Sequence, residues 1–169
     1  MKAALKEAQK AVKKKEVPIG AVAVKDGKII ARAHNLRESK QDPLGHAEIY
    51  LISKLSKKLK RWRLNGVTIY VTLEPCLMCM GALLQARVDR VVFGSFDPKA
   101  GACGSLYDLS QDKRLNHLIE ITSGVLQKEC SEILSEFFKK LRQSKKIKNL
   151  AQARFFSCGR GGIRTRVTR

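Results

Sequence analysis

Two kinds of hydrophobic pattern alternate along the chain, and together they predict a regular succession of helices and strands. At the start, apolar residues recur at helical spacing with Lys and Glu between them, at Ala4, Leu5, Ala8, Ala11 and Val12. Segments dense in β-branched residues, such as residues 67–73, are typical of buried strands. The predicted elements are a helix over residues 1–15, strands over 19–24 and 28–34, a helix beginning at Asp42-Pro43, a strand over 67–73, a helix from Pro75 to about Arg87, strands over 88–94 and 118–122, and a basic helix from Glu129 to about Leu150.

Turn signals join these elements. Asp26-Gly27 between two strands indicates a hairpin, because both central positions of its favoured turn need positive φ. Residues 35–41 read as a polar loop, and Asn65-Gly66 reads as a turn. Residues 96–117 are rich in Gly, Asp and Ser and predict a long loop, which inside a compact domain is usually functional. The order of elements predicts an α/β fold with a mixed sheet, since strand–helix–strand units favour parallel pairing.

The charge of the chain is strongly positive. Its 169 residues carry 34 Lys or Arg against 15 Asp or Glu, a formal net charge of +19. Residues 139–169 contain eleven Lys or Arg and no acidic residue. We expect one domain over residues 1–148 and a flexible basic tail over residues 149–169, which either contacts RNA or has no role. The balance favours a polyanionic partner such as nucleic acid.

The composition also indicates in which cellular compartment we expect the protein. No apolar run is long enough to span a bilayer, so we expect no membrane association. The first seven residues carry charges and lack the apolar core of a signal peptide, which favours a cytoplasmic protein. The five cysteines, an odd number, argue against a disulfide framework.

Two short motifs carry the candidate chemistry: His46-Ala47-Glu48 and Pro75-Cys76-Leu77-Met78-Cys79. One imidazole and two thiolates suit zinc, and three protein ligands leave an open position for water. Both motifs fall at predicted helix starts, where the helix dipole favours thiolates, so we expect the three ligands to reach one ion. Cys-x-x-Cys alone is also typical of a redox pair or half a structural site, but the sequence has no second pair. The combined signature is typical of zinc nucleobase deaminases, with Glu48 moving protons.

From about residue 1 to about residue 145, the chain resembles the bacterial tRNA-specific adenosine deaminases of the cytidine deaminase-like superfamily. The resemblance is carried by Glu16-Val17-Pro18-Ile19-Gly20-Ala21-Val22, His46-Ala47-Glu48, Tyr70-Val71-Thr72-Leu73-Glu74-Pro75-Cys76-Leu77-Met78-Cys79, Arg90-Val91-Val92-Phe93-Gly94, Gly101-Ala102-Cys103-Gly104-Ser105 and Asn116-His117. It implies a three-layer α/β/α fold with a central mixed five-stranded sheet. It also implies a homodimer with one Zn²⁺ per subunit that converts wobble adenosine to inosine in the anticodon stem-loop of tRNA.

The resemblance also implies roles for individual residues. His46, Cys76 and Cys79 match the zinc ligands, and Glu48 matches the proton shuttle. Asn35 matches an asparagine that hydrogen-bonds the flipped base. The implied substrate-binding residues are Asn35, Ala47, Asp97, Lys99, Asn116 and His117. Phe137-Phe138 matches an aromatic pair of the last helix, for which simple packing is the alternative. Leu44-Gly45 departs from the usual Thr-Ala before the histidine.

Two other functions remain open at this point. A small-molecule deaminase of the guanine, cytosine or nucleotide type would use the same chemistry, and its high positive charge would be incidental. A zinc-bearing RNA-binding module without catalysis would use the same metal ligands, but it would have no use for Glu48.

Overall fold

The structure, a computed structural model, describes residues 1–158. It contains five helices and five strands within that range. Their bounds are α1 Lys2–Lys13, β1 Gly20–Lys25, β2 Lys28–His34, α2 Arg37–Lys40, α3 Ala47–Leu59, β3 Thr68–Leu73, α4 Leu77–Gln85, β4 Arg90–Ser95, β5 Glu120–Thr122 and α5 Gln127–Cys158. Residues 1–134 form one compact unit, and a second unit begins at Ser135 within α5. None of the described helices is both long and apolar enough to cross a membrane.

The sheet is mixed and five-stranded, as the sequence predicts, with strand order β2-β1-β3-β4-β5. β1 pairs antiparallel with β2 and with β3, whereas β3, β4 and β5 pair in parallel. The predicted hairpin is confirmed, since Asp26 and Gly27 both adopt positive φ, at 49° and 71°. The parallel pairing places the carboxyl ends of β3 and β4 at the same edge of the sheet.

Helices cover both faces of the sheet. On one face, α3 and α4 bury the core around fully buried side chains such as Leu51, Leu55 and Leu83. On the other face, α1 lies so close to β1 that a Cβ at Gly20 would overlap the backbone of Ala4 and Ala8. The first turns of α5 also approach the sheet, because a Cβ on Gly94 in β4 would overlap the Cys130 thiol. These two helix layers confirm the predicted three-layer arrangement.

The helix that carries the His-x-Glu motif begins later than predicted. The sequence predicts a start at Asp42-Pro43, but α3 starts at Ala47 with His46 as its N-cap. The Asp42 carboxylate instead accepts the backbone N–H of Leu44 at 2.9 Å and the hydroxyl of Tyr50 at 2.9 Å. An Asp side chain that closes a local turn in this way competes with helix capping.

Part of the predicted polar loop over residues 35–41 is a short helix, α2. The buried carboxylate of Glu16 accepts the backbone N–H groups of Glu38 at 3.1 Å and Ser39 at 2.6 Å. An acceptor more than 20 residues away in sequence therefore satisfies the amino-terminal donors of α2. No local sequence pattern reveals that partner.

The remaining element ends lie close to the predictions. The strand ends differ from the predicted bounds by at most two residues, and α4 begins at Leu77, with Cys76 as its N-cap, rather than at Pro75. Residues 96–117 contain no helix or strand, as predicted. α5 continues to Cys158, beyond its predicted end near Leu150, and residues 159–169 of the predicted tail lie outside the described residues. The division at residue 148 stays a prediction.

A single buried carboxylate organises the long loop after β4. Glu74, which is 2% exposed, accepts backbone N–H groups from Asp97 at 3.0 Å, Cys103 at 2.9 Å and Ser105 at 3.1 Å, and also accepts the Ser105 hydroxyl. Gly101 lies against this carboxylate, where a Cβ would overlap it. Burial alone would raise the pKa of Glu74, but these donors together hold it below its usual range.

Replacing Glu74 by Gln therefore destabilises the fold. The amide presents a donor to backbone N–H groups that need an acceptor, and we expect a loss of roughly 1–3 kcal/mol in the free energy of unfolding at pH 7. Because the folded-state pKa of Glu74 is lowered, its stabilisation is present above the ordinary value of 4.5 and is lost as the pH falls through the folded value. Urea denaturation at several pH values measures both effects.

The matched control is Glu132→Gln, which removes an exposed carboxylate of α5. The stability difference between Glu74→Gln and this control should shrink in acid. Equal stability of the two variants at pH 7 would show that the Glu74 contacts contribute nothing measurable.

Candidate metal centre

The two sequence motifs meet where α3 and α4 begin. His46 and Cys76 are the N-cap residues of the two helices, both with extended backbone, and Cys79 follows in the first turn of α4. The Nδ1 atom of His46 lies 3.7 Å from the Cys76 sulfur and 3.5 Å from the Cys79 sulfur. All three candidate ligand atoms lie within 4.8 Å of one another, and no other group of three such residues occurs in residues 1–158.

These separations fit a tetrahedral ion. Zinc bonds of about 2.1 Å to nitrogen and about 2.3 Å to sulfur, at a tetrahedral angle, place the two ligand atoms roughly 3.6 Å apart. Both observed nitrogen–sulfur distances lie within about 0.1 Å of that value. The fold therefore brings the three predicted ligands to metal-binding distance.

The surroundings of the cysteines favour a thiolate. A hydrogen bond from Cys79, helped by His46, lowers the pKa of Cys76 to about 4, whereas the hydrogen bond to Cys76 and burial raise the pKa of Cys79. The hydrogen bond with Cys76 also raises the pKa of His46. Two helix amino termini add their positive dipole ends at the same point. Two thiolates and an imidazole are ligands that select a soft or borderline metal cation.

Glu48 lies beside the three candidate ligands and is not part of their cluster. It is the second residue of α3 and is 3% exposed, and its Oε2 atom has no hydrogen-bond partner among the described residues. Burial raises the pKa of Glu48 to about 7. A carboxyl group of this kind can hold or release a proton at neutral pH, which is the property required of a general acid–base group.

Asn35 and Ala47 lie next to this centre. Asn35 follows β2 and is 3% exposed, and its Oδ1 has no partner within residues 1–158. The backbone N–H of Leu36 donates to the carbonyl of Gly45 at 2.9 Å, which ties the Asn35 segment to the residue before His46. A buried polar atom without a partner is rare in proteins, and here it leaves the amide oxygen of Asn35 available to a ligand.

The loop after β4 brings Asp97 and Lys99 to the same edge of the sheet. Gly101 forms an isolated antiparallel bridge with Cys76, and the N–H of Ala102 donates to the carbonyl of Pro75 at 2.9 Å. Asp97 uses its Oδ1 atom to accept the N–H of Lys99 at 3.0 Å, so its carboxylate shapes the loop. The side chain of Lys99 is exposed.

Asn116 and His117 lie elsewhere. The guanidinium of Arg87 donates to Asn116 Oδ1 at 2.7 Å, and the Nε2–H of His117 donates to the carbonyl of Val88 at 2.8 Å. Arg87 and Val88 precede β4, whereas Cys76 follows the carboxyl end of the parallel strand β3. Within one chain, the structure does not bring these two residues to the metal centre.

Two buried acids that support the centre escaped the sequence reasoning. Glu74 holds the loop beside Cys76, and Glu16 holds the short helix before His46. The sequence motifs indicate neither role. The sequence signal of the two acids is an acid close to a proline at one end of a strand: Glu74 lies directly between the end of β3 and Pro75, and Glu16 lies two residues before Pro18 and four before β1. In the second unit, Phe137 and Phe138 contact each other edge to face at 5.5 Å, and packing remains an alternative role for them.

Comparison with known proteins places this geometry in a family. A family model described as MafB19-like deaminase matches residues 1–142. A tRNA-specific adenosine deaminase of Bacillus subtilis is 56% identical over 154 residues, covering 90% of this chain and 96% of that protein. The enzyme of the same name from Haemophilus influenzae is 48% identical over 148 residues, covering 87% of this chain and 86% of that one.

Solved structures agree with the sequence relatives. A structure from the tRNA:A34 deaminases, which carry out A-to-I editing at the wobble position of transfer RNA, is 42% identical with a TM-score of 0.77 and covers 79% of this chain and 97% of that chain. A guanine deaminase of Bacillus subtilis is 38% identical with a TM-score of 0.54, but it covers 56% of this chain and 61% of that chain. The agreement over nearly the whole length of its relatives shows that this chain belongs to the tRNA-specific adenosine deaminase family.

Proposed function

We propose that this protein hydrolyses adenosine to inosine at the wobble position of a tRNA anticodon stem-loop. The observation that carries the proposal is a His-Cys-Cys cluster at tetrahedral spacing beside a buried carboxylate, Glu48, one of whose oxygens has no partner in the described residues. We further propose one Zn²⁺ per subunit, a homodimeric assembly and a cytoplasmic location. The names of the relatives and the basic charge of the chain support an RNA substrate.

The side chains divide the reaction between them. When bound by His46, Cys76 and Cys79, a zinc ion would supply water activated for attack at neutral pH. Glu48 accepts the proton of the attacking water and delivers protons to the ring nitrogen and to the departing amine. The C–N bond to the exocyclic amine breaks, a C–O bond replaces it, and ammonia leaves.

Recognition of the base falls to groups whose hydrogen-bonding capacity is unused. The free Oδ1 of Asn35 accepts a hydrogen bond from the flipped base, and the buried Ala47 packs against the same base. Lys99 contacts a phosphate, and Asp97 holds the loop that presents it. Asn116 and His117 lie away from the centre of their own chain, and we propose that they approach the substrate from the partner subunit of the dimer.

The experiment that tests the proposal is incubation of zinc-loaded protein with a cognate anticodon stem-loop, followed by nucleoside analysis for inosine. We expect inosine at the wobble position and no ammonia from free guanine, cytosine or their nucleotides. The opposite pattern, ammonia from a free base and unmodified RNA, would select the small-molecule deaminase, whose chemistry this centre also fits.

The role of Glu48 predicts a separation of metal binding from turnover. Because Glu48 is not a ligand, Glu48→Ala should keep one zinc per chain while kcat falls by about 10²–10⁴. Metal analysis and single-turnover inosine formation measure the two properties on the same sample. Loss of zinc together with activity, or survival of turnover, would show that the assigned role is wrong.

The ligand set predicts which cysteines matter. Cys76→Ala should lose both zinc and activity, since two remaining protein ligands hold the ion far more weakly. Cys130→Ala is the matched control, because Cys130 is buried and lies on the other face of the sheet. Full zinc in Cys76→Ala, or loss of zinc in the control, would contradict the assignment.

A further inference from the structure

The exposed side of the carboxyl-terminal half of α3, which leads away from the metal centre, is basic. Between Glu48 and Glu74 the chain has six Lys or Arg and no acidic residue. The exposed positions of α3 are Ser53, Lys54, Lys57 and Lys58. Lys54 and Lys58 each donate at 2.9 Å to backbone carbonyls of the edge strand β2, so the helix and the strand together form one basic surface.

This surface ends in what we call the distal basic patch, consisting of Lys57, Lys60, Arg61, Trp62 and Arg63, all exposed. Trp62 is the only tryptophan of the chain and is 58% exposed. The guanidinium of Arg63 lies 4.7 Å from the centre of the Trp62 ring. A large aromatic ring among cations is the composition that RNA-binding surfaces use.

The patch is held in place by the fold. Lys60 ends α3 in the left-handed conformation, with φ of 51°, and Arg61 donates to the carbonyl of Asn65 at 2.9 Å. Leu64 directly follows the patch, is completely buried and donates its N–H to the carbonyl of Ala86 at 2.7 Å. A preformed surface loses less conformational entropy on binding than a mobile one.

The patch and the metal centre lie at opposite ends of α3. His46 caps the start of α3 and Lys60 caps its end, and 13 helical residues span about 20 Å. None of the salt bridges found in residues 1–158 involves a residue of the patch. Its cations are therefore available to an anionic partner that extends from the centre along α3.

We propose that the distal basic patch binds the sugar–phosphate backbone of the RNA stem that carries the deaminated loop. The inference rests on the proposed function, since it places an RNA substrate at the metal centre. Several base pairs of the stem cover the distance along α3. The phosphates of the stem are neutralised by Lys57, Lys60 and Arg63, and Trp62 packs against the adjoining riboses. Contacts of this kind add affinity and orientation without reading sequence.

Trp62 itself reports on the proposal, because no other residue contributes tryptophan fluorescence. Binding of a stem-loop to the zinc-loaded protein should protect this fluorescence from quenching by acrylamide. The unpaired loop nucleotides alone should not protect it. Unchanged quenching at saturating stem-loop would overturn the proposal, and the measurement needs no turnover, so it is independent of whether adenosine is the substrate.

Charge removal gives the second test. Lys57→Ala combined with Arg63→Ala should raise KM for the stem-loop on the order of tenfold, lower the slope of log affinity against log salt by about two, and leave kcat unchanged. Lys6→Ala combined with Lys13→Ala removes the same charge from exposed positions of α1, on the other face of the sheet, and should change little.

Three results would count against the patch. An equal rise in KM for both pairs would show a general electrostatic effect. A change in oligomeric state on Trp62→Ala, seen by light scattering, would show that the patch contacts a second copy of the chain. If Lys57→Ala combined with Arg63→Ala also weakened binding of the isolated loop nucleotides, the substitutions would act at the metal centre rather than along the stem. Absence of inosine from the wild type would refute the proposed function while leaving the fluorescence result interpretable.

Discussion

The site depends on two helices that begin at the same edge of one sheet. Parallel pairing of β3 and β4 places their carboxyl ends together, and the chain turns from β3 directly into α4 through Cys76. α3 packs beside α4 on the same face, so its N-cap, His46, meets Cys76 and Cys79. The spacing of the three ligand atoms is therefore set by packing of the hydrophobic core and by the helix starts.

Three buried glutamates surround this point, and their hydrogen bonds separate their roles. Glu16 and Glu74 accept several N–H groups and have lowered pKa values, so they stay ionised and fix backbone. Glu48 has one carboxylate oxygen without a partner in the described chain, and burial raises its pKa. The same residue type therefore has two roles in different surroundings. Glu16 and Glu74 are fixed charges that position the site, and Glu48 is a titratable group that can move protons.

The local sequence carried enough information for the order of the main elements, the mixed sheet and the cluster of His46, Cys76 and Cys79, because periodicity, turn residues and ligand chemistry are short-range signals. It placed the start of α3 wrongly, since the competing hydrogen bonds of Asp42 with Leu44 and Tyr50 form only in the folded chain. It also missed α2 and the roles of Glu16 and Glu74, whose partners lie more than 20 residues away. Long-range hydrogen bonds to backbone leave little pattern in the residues that make them.

We propose that three protein ligands form an open zinc centre rather than a closed structural one. X-ray absorption at the zinc edge of the zinc-loaded protein tests it directly. We expect two sulfur neighbours at about 2.3 Å and two nitrogen or oxygen neighbours at about 2.0–2.1 Å, one of them from solvent. Three or four sulfur neighbours, or a shell of oxygens alone, would contradict it.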